Sequence, residues 1–303
     1  MNASTGSLKR MIVGLLRMSR PGPLVAALLA WLLGASMLYG SGSRFSLSSF
    51  VLGFASVFMT FLSLHYANEY ADYETDSLTR RTFYSGGSGV LPSGLVAREL
   101  ALQASAACIV IGLILQILGA LYGFLSWFGM VGLVVGAFFG YMYSLPPMKL
   151  SYRGLGELDN SLLGGVGAPI LAYVNLGGRM DTSVLTACLP FTLLVFNNLL
   201  ASTWPDREAD RKADKLTLAT LWTKRTLRRL YWTVAASTYV ALIILYLTRQ
   251  VPLLVTATGL LSLPLSIRGG LRYTKATISR AAIYAMVVMQ CGQIASWLLV
   301  CFF

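Results

Sequence analysis

Nine long apolar runs without a single charged side chain constrain this sequence more than any other feature. Together they hold 175 of the 303 residues, and none of those 175 is Asp, Glu, Lys or Arg. Each run is long enough, or nearly so, to cross about 30 Å of hydrocarbon as a helix. The runs are 23–39, 46–67, 100–118, 121–143, 161–176, 183–202, 230–247, 251–267 and 281–303.

Composition points to the same fold class. Charged residues make up 12% of the chain and hydrophobic residues 56%, whereas a soluble domain carries about 25% charged residues. We therefore predict an all-α, polytopic membrane protein with nine transmembrane helices. This excludes a soluble enzyme, a β-barrel of alternating polarity and, despite the net charge of +12, a protein that binds nucleic acid.

The positions of Lys and Arg predict how the chain is oriented. The first 22 residues and the loops after the second, fourth, sixth and eighth runs hold 21 of the 24 basic residues. Because cytoplasmic loops collect Lys and Arg, we expect a cytoplasmic N-terminus and an outside C-terminus in the cell membrane. Within residues 1–20, Lys9, Arg10 and Arg17 alternate with apolar residues, which suits a helix lying at the inner interface.

Acidic residues are clustered as strongly as the basic ones. Eight of the twelve acids fall in two windows of nine residues, 68–76 (NEYADYETD) and 206–214 (DREADRKAD). Each window directly follows an apolar run, the second and the sixth, at the end that we assign to the cytoplasm. Asp72 and Asp206 are 134 residues apart, with four runs between the two copies. The placement predicts two pseudo-repeated four-helix halves plus a ninth helix.

Spacing within the windows points to the chemistry. In each window three residues recur every four positions, which on a helix places them in one stripe. Carboxylates stacked in this way repel each other, and no Lys or Arg at the same spacing relieves them, so a bound cation is expected. Oxygen ligands suit Mg²⁺, which often bridges carboxylates to substrate phosphates. The predicted metal ligands are Asn68, Asp72, Asp76, Asp206, Asp210 and Asp214.

Two facing stripes of this kind would hold a diphosphate between them through metal ions. Four of the six ligands are the predicted catalytic residues, namely Asp72, Asp76, Asp206 and Asp210. The alternative is that both windows are solvated helix ends, paired with neighbouring Arg and Lys. The repeat of both spacing and location has no reason to exist under that alternative.

Two polar loops add residues that suit an anion. Arg80, Arg81 and the segment 85–94 (SGGSGVLPSG) follow the first stripe, and glycines let backbone N–H groups approach a phosphate. Such a segment is as often a flexible connection. In the loop 143–157 (YSLPPMKLSYRGLGE), two cations would complement a diphosphate, although either also fits the excess of basic residues in cytoplasmic loops; they are Lys149 and Arg153.

These motifs together resemble the UbiA superfamily of intramembrane prenyltransferases. The matching residues are the NxxxDxxxD motif (Asn68, Asp72, Asp76), the DxxxDxxxD motif (Asp206, Asp210, Asp214) with Lys215 after it, the Arg20–Pro21 pair and YSLPPMKL from Tyr143. Span count and motif placement agree with that family over nearly the whole chain, so we expect one transmembrane prenyltransferase domain, 1–303. Residues 72–99 and 203–229 would form its cytoplasmic catalytic loops.

The resemblance implies a cofactor and two substrates. Two Mg²⁺ ions, with Mn²⁺ as a substitute, would bind an isoprenyl diphosphate, whose prenyl group passes to a small aromatic acceptor in the bilayer. The residues expected to bind the diphosphate are Arg20, Arg80, Arg81, Tyr143, Lys149, Arg153 and Lys215.

Within the family, SGGSGVL and LSYRGLGELDN look most like the branch that prenylates 1,4-dihydroxy-2-naphthoate in menaquinone synthesis. Two positions depart from the pattern. Gly89 stands where that branch often has Arg, and Trp204–Pro205 precede the second motif where the family usually has Asn and no proline. Because proline lacks an N–H, we predict that Pro205 breaks or restarts the helix there.

Other functions stay open at this point. A related enzyme would prenylate 4-hydroxybenzoate, homogentisate, a glycerol phosphate lipid or a haem. From another class, a divalent cation transporter would use the stripes as ion ligands. The transporter is disfavoured because such sites lie near the bilayer midplane, whereas these acids lie at the ends of charge-free runs.

Overall fold

The computed structural model of the chain describes residues 2–79, 81, 86–276 and 279–300, with only the backbone for residues 2–7. Within these ranges it is built of helices and has no β-strand, apart from one isolated bridge between Arg153 and Leu216. The all-α fold class predicted from the apolar runs is confirmed. In chain order the α-helices are α1 (Asn2–Met18), α2 (Pro21–Gly40), α3 (Leu47–Ala71), α4 (Tyr73–Leu78), α5 (Arg98–Leu121), α6 (Trp127–Ser144), α7 (Gly156–Leu162), α8 (Ala168–Asn175), α9 (Thr182–Ala187), α10 (Leu189–Thr203), α11 (Arg207–Lys212), α12 (Leu218–Leu221), α13 (Lys224–Leu247), α14 (Leu253–Leu260), α15 (Leu263–Arg272) and α16 (Arg280–Val300).

Eight helical segments of the described chain are long and apolar enough to cross a membrane. Six of them are single helices, namely α2, α3, α5, α6, α13 and α16. The other two are composite: Thr182–Lys212 runs from α9 to α11, and Leu253–Arg272 joins α14 to α15. The chain is therefore a multi-pass membrane protein.

The ninth predicted span, 161–176, is not one regular helix. The chain there passes from α7 through a π-helical turn, Leu163–Gly167, directly into α8. A widened turn of this kind bends a helix, and glycines allow it to form against a neighbour. At Gly165 an added Cβ would lie 2.6 Å from Thr192 Cα, so the turn is seated closely against α10. The count of nine spans stays a prediction.

Close contact between α2 and α8 forms the middle of the bundle. A Cβ at Gly34 would overlap the Pro169 carbonyl oxygen and lie 2.7 Å from Ala172 Cβ. Small residues let membrane helices approach in this way, because lipid tails offer no hydrophobic drive for association. Trp31 and Leu33 are each 1% exposed and belong to the main apolar core around this contact.

Buried polar side chains join neighbouring helices of the bundle. Gln116 of α5 and Asn175 at the end of α8 exchange two hydrogen bonds, 2.7 and 3.2 Å long. Ser56 of α3 donates to the Gly112 carbonyl of α5 over 2.8 Å. Such bonds hold membrane helices in register, since each group would otherwise be left without a partner in hydrocarbon.

Both acidic motifs lie where a long helix gives way to a short one. α3 ends at Ala71 and α4 begins at Tyr73, whereas α10 ends at Thr203 and a 3-10 turn, Trp204–Asp206, precedes α11. The predicted break at Pro205 is thus confirmed. The two short helices α4 and α11 pack against each other, which brings the two copies of the motif to one end of the bundle.

Candidate active site

A buried ion pair joins the two motifs. Lys215, the residue after the second motif, places Nζ 2.9 Å from Asp72 Oδ2 of the first motif. Both residues are buried, with 8% of Lys215 and 6% of Asp72 exposed. Burial opposes the charge on Lys215, but Asp72, Tyr143 and Asp210 outweigh that effect and raise the pKa of Lys215 above its ordinary value. The lysine is therefore a fixed cation between two acidic segments.

Tyr152 completes the surroundings of Asp72. Its hydroxyl donates to Asp72 Oδ1 over 3.1 Å. Burial and the Asp72 carboxylate raise the pKa of Tyr152, so the hydroxyl keeps its proton and acts as a donor. The ammonium groups of Lys149 and Lys215 both lie 5.3 Å from the centre of the Tyr152 ring. One aromatic ring thus organises two cations beside the first motif.

The second motif contributes two aspartates to the same region. Asp210, on α11, is 5% exposed, and the charges of Lys215, Asp206, Asp72 and Glu157 all act on it. Asp206 belongs to the 3-10 turn before α11. The structure therefore brings Asp72, Asp206, Asp210 and Lys215 into one electrostatic cluster.

The glycine-rich loop lies directly over the first motif. Ser88 donates from its backbone N–H to Glu69 Oε1 over 2.8 Å and from its hydroxyl to Glu69 Oε2. Gly87 has φ +59°, and a Cβ there would overlap Asp76 Oδ2. Gly87 is thus needed both for its left-handed backbone and for its contact with Asp76.

Asp76 lies in a strongly negative environment. Burial, and then repulsion from Asp72 and Glu69, raises the pKa of Asp76 to about 8, although Lys215 and Arg20 act in the opposite direction. Arg20 caps the start of α2 with φ +53°, and its charge also acts on Glu69. A site in which neighbouring acids repel one another is suited to bind a further cation.

Two further predicted residues, Asn68 and Tyr143, lie near this cluster. Asn68 accepts a hydrogen bond of 2.5 Å from the Ser144 hydroxyl at the end of α6. Tyr143, on the same helix, lies close enough for the charges of Lys215, Asp72 and Asp210 to act on it.

Two predicted residues are exposed and have neighbours outside the acidic cluster. Arg153 is exposed and donates to the Pro147 carbonyl over 3.2 Å. Arg81 is exposed and would meet a Cβ placed on Gly89. Arg80 lies outside the described residues.

The prediction of two unbroken helical stripes needs correction. Asp72 ends α3 and precedes α4, so the first stripe bends there, although the Asp72 and Asp76 amides keep helical hydrogen bonds to the carbonyls four residues earlier. Asp214 lies beyond the end of α11, is exposed, and has φ +53°. It does not continue the line of Asp206 and Asp210, because the chain has already left the helix at Ala213.

Sequence reasoning missed Glu157 among the residues near the site. It is 3% exposed and accepts hydrogen bonds from the Leu218 amide over 3.1 Å and from the Thr203 hydroxyl over 3.5 Å. It thereby fastens the segment that follows the second motif. Like Tyr152, it lies in the loop 143–157, where the sequence pointed to Tyr143, Lys149 and Arg153. Glu157 accepts hydrogen bonds from residues distant in sequence, so no regular spacing of residues around it indicates its role.

The donor set fits a magnesium ion that also binds substrate. All six predicted ligands offer oxygen, as Mg²⁺ prefers. In the part of the chain that the structure describes, no group of three or more His, Cys, Asp or Glu side chains is placed to hold a metal ion by itself. Mg²⁺ typically uses one or two carboxylates together with substrate phosphates. Open carboxylate groups on two facing motifs are therefore compatible with metal ions held between protein and diphosphate.

Residues 27–290 match the UbiA prenyltransferase family, which is most of the chain. The chain belongs to this family. Among curated proteins, it is similar to the 1,4-dihydroxy-2-naphthoate octaprenyltransferase of Bacillus subtilis (strain 168), with 25% identity over 211 residues. That match spans 68% of this chain and 64% of the relative.

Solved structures show the same fold over nearly the full length. A UbiA homolog from Archaeoglobus fulgidus bound to DMAPP and Mg²⁺ gives a TM-score of 0.67 at 20% identity, covering 95% of this chain and 99% of the other. A structure of the same homolog with GPP and Mg²⁺ gives 0.66 at 19% identity, with coverages of 96% and 100%. A UbiA homolog from Aeropyrum pernix K1 gives 0.67 at 14% identity, with coverages of 89% and 97%. The UbiA arrangement of helices is therefore present here.

Proposed function

We propose that this UbiA protein transfers a prenyl group from an isoprenyl diphosphate to a small aromatic acceptor within the membrane, in a Mg²⁺-dependent reaction. The observation that carries the proposal is the buried contact between Lys215 and Asp72. It unites two acidic motifs that are far apart in sequence. The Archaeoglobus homologs of the same fold bind GPP or DMAPP with Mg²⁺.

The residues of the chain would divide the work as follows. Two Mg²⁺ ions, or Mn²⁺ in their place, would neutralise the diphosphate as its bond to the prenyl carbon breaks. Asn68 and the aspartates of both motifs would hold those ions, with Asp214 at the edge of the set. Lys215 and Lys149, both beside Tyr152, would donate to diphosphate oxygens. Arg20 and Tyr143 would line the inner part of the site, with Arg80, Arg81 and Arg153 at its rim.

Exclusion of water is the second requirement of this chemistry. Loss of diphosphate leaves an allylic cation, which reacts with any nucleophile near its C1 atom. The loop that Ser88 ties to Glu69 closes one side of the site. The apolar helices below it would accept the isoprenoid tail and place the aromatic ring of the acceptor beside the cation. The acceptor proton would leave after the new carbon–carbon bond forms.

For the acceptor we propose 1,4-dihydroxy-2-naphthoate, which makes this a step of menaquinone synthesis. The support is the resemblance of SGGSGVL and LSYRGLGELDN to that branch and the similarity to the Bacillus subtilis octaprenyltransferase. A hydroxyl-activated naphthoate ring is a strong carbon nucleophile, and its carboxylate would suit the basic surroundings of the site.

We further propose nine spans in two pseudo-repeated halves, with the motifs on the cytoplasmic face of the cell membrane. The contact of Lys215 with Asp72 requires an even number of crossings between the two motifs. α5, α6 and the α9–α11 segment supply three crossings. The fourth would be the bent segment from α7 to α8. The excess of Lys and Arg at the motif end supports the cytoplasmic assignment.

A competition assay with mass spectrometry of the products tests the proposed activity. Purified protein receives Mg²⁺, a long-chain prenyl diphosphate and equal amounts of 1,4-dihydroxy-2-naphthoate, 4-hydroxybenzoate, homogentisate and a glycerol phosphate. Prenylated naphthoate as the main product supports the proposal. A prenylated product of another acceptor overturns the naphthoate assignment alone. Absence of any product, together with uptake of a divalent cation into vesicles, overturns the enzyme and favours a transporter.

A further inference from the structure

A cavity of about 730 Å³ opens beside the first turns of α13, and its lining includes no residue of either acidic motif. Five of its eight lining residues are cations, and none is an acid. None of the eight belongs to the candidate active site. They are Lys224, Arg225, Arg228, Arg229, Trp232, Thr233, Thr274 and Lys275.

Within the residues that the structure describes, none of these cations forms a salt bridge. In the described part of the chain, the ion pairs are Arg207 with Glu208 and Lys215 with Asp72, and neither includes a cavity residue. Lys224 has a single ring contact, 5.9 Å from the centre of Trp204. Four of the five are exposed, so water and salt weaken their mutual repulsion, but an anion bound in the cavity would be attracted to all five together.

The excess of basic residues on cytoplasmic loops explains why cations are present here. It does not explain why cations from two separate elements line the same cavity. That excess requires Lys and Arg near the ends of spans, with no preference for a common cavity. Here four come from the start of α13, whereas Lys275 comes from the segment after α15. Three Arg side chains from one helix and a Lys from a second element line the same cavity. Such a group suits a phosphate, because each guanidinium donates to phosphate oxygens in pairs and the ammonium adds a further charge.

The cavity also lies at the level expected for lipid head groups. Trp232 packs against α15, where a Cβ at Gly270 would lie 2.7 Å from Trp232 Cζ2. Tryptophan favours the boundary between hydrocarbon and water. Further along α13 the exposed residues are apolar, with Val240 55% and Ile244 51% exposed. The cations thus stand on the polar side of this boundary and the apolar surface on the other.

We propose that this cavity binds the phosphate head group of an anionic phospholipid, with the acyl chains along the apolar face of α13. The site goes beyond the proposed prenyl transfer and uses none of the residues proposed to bind metal or diphosphate, although four of its cations lie in the segment 203–229 that was predicted as a catalytic loop. Buried aromatic rings neighbour the lining residues in the chain: Tyr273, which precedes Thr274, lies 5.3 Å from Tyr231 and 6.2 Å from Trp204. A basic pocket between membrane helices is a known arrangement for anionic head groups.

Native mass spectrometry of the purified full chain tests this site. Protein in detergent is titrated with phosphatidylglycerol or with phosphatidylcholine of the same acyl chains, and the bound lipid is counted. The double variant Arg228→Gln with Arg229→Gln removes two cavity cations. The control, Arg268→Gln with Arg272→Gln, removes two exposed cations of α15, which do not line the cavity.

We expect wild type and control to retain one phosphatidylglycerol more tightly than phosphatidylcholine. The cavity variant should bind it about 30-fold more weakly, from roughly fivefold for each of the two cations removed. Equal retention of both lipids by wild type, or equal weakening in the control, overturns the site. Displacement of phosphatidylglycerol by millimolar inorganic phosphate, or by equimolar geranyl diphosphate, overturns the assignment to a phospholipid. Melting temperatures of both variants confirm folding, and a failure of prenyl transfer leaves this binding result intact.

Discussion

Lys215 has a double role at the scale of single residues. In the structure it neutralises Asp72, the carboxylate that the proposal assigns to a metal ion. Metal and lysine therefore compete for one carboxylate, and the lysine becomes available for diphosphate when the metal binds. Sequence reasoning selected Lys215 from its place after the second motif, but the partner Asp72 was not predictable, because 143 residues separate the two.

Replacement of Lys215 by Met tests this role. The buried Asp72 carboxylate loses its partner, which costs about 3 to 5 kcal/mol when one half of a buried pair is removed. We expect a lower melting temperature without metal and a larger stabilisation by Mg²⁺ than in wild type. Lys212→Met is the control, since Lys212 is exposed at the end of α11. Thermal unfolding with and without Mg²⁺ gives the comparison, and an equal Mg²⁺ effect in all three proteins would contradict the competition.

Gly87 and Gly94 provide a matched pair within the glycine-rich loop. Both have positive φ, +59° and +68°, so alanine strains the backbone at either position by about 1 kcal/mol. Only at Gly87 does the new Cβ overlap Asp76, whereas at Gly94 it meets nothing within 4 Å. We expect Gly87→Ala to lower kcat/KM at least tenfold and Gly94→Ala to leave it within twofold, as measured by steady-state prenyl transfer. Equal activity of the two variants would show that contact with Asp76 is unimportant.

At the scale of elements, apolar runs predicted where the long helices lie, because membrane spans are selected for length and lack of charge. The runs 23–39 and 100–118 fall inside α2 and α5. The interruptions were harder to predict. Pro205 indicated the break before α11, because proline lacks the N–H that a continuous helix needs. The bend between α3 and α4 has no such residue, and the π-helical turn depends on packing against α10.

Contact between α2 and α8 gives a prediction at this scale. Gly34→Ala places a methyl group on the Pro169 carbonyl, so the two helices must separate. Overpacking of this kind costs about 1 to 3 kcal/mol, and we expect a clear fall in melting temperature. Gly136→Ala is the control on α6, where the added methyl meets nothing within 4 Å. There the better helix propensity of alanine leaves stability unchanged or slightly raised. Differential scanning calorimetry of both variants in detergent gives their melting temperatures. An unchanged melting temperature for Gly34→Ala would contradict the close contact between α2 and α8.

For the whole molecule, the sequence predicted an all-helical membrane bundle and a pair of related motifs. It could not predict that the motifs touch, because contact between distant segments depends on how all the spans pack. It also gave no sign of the basic cavity. Lys275 follows the cations of α13 by 46 to 51 positions in the sequence. Only the packing of α13 against α15 brings them together.

Cysteine accessibility tests the number and direction of the spans. Single cysteines replace Ser43, Ser93 and Met180 in a protein without its native cysteines; all three positions are exposed and lie between helices. With nine spans, Ser43 and Met180 label from outside sealed right-side-out vesicles with an impermeant reagent, whereas Ser93 labels only after lysis. If the cysteine at Met180, like that at Ser93, labels only after lysis, the α7 to α8 segment does not cross the membrane. Labelling of only the cysteine at Ser93 from outside intact vesicles would mean that the protein has the opposite orientation.

The central claim is that both motifs act as one Mg²⁺ site for the diphosphate. Asp72→Asn, Asp206→Asn and their combination keep the shape of each side chain and remove the charge. At limiting Mg²⁺ we expect each single variant to lose at least 100-fold in kcat/KM for prenyl transfer, equivalent to about 2.7 kcal/mol, with the double variant little worse than either. Retention of near wild-type turnover by either single variant would contradict the account.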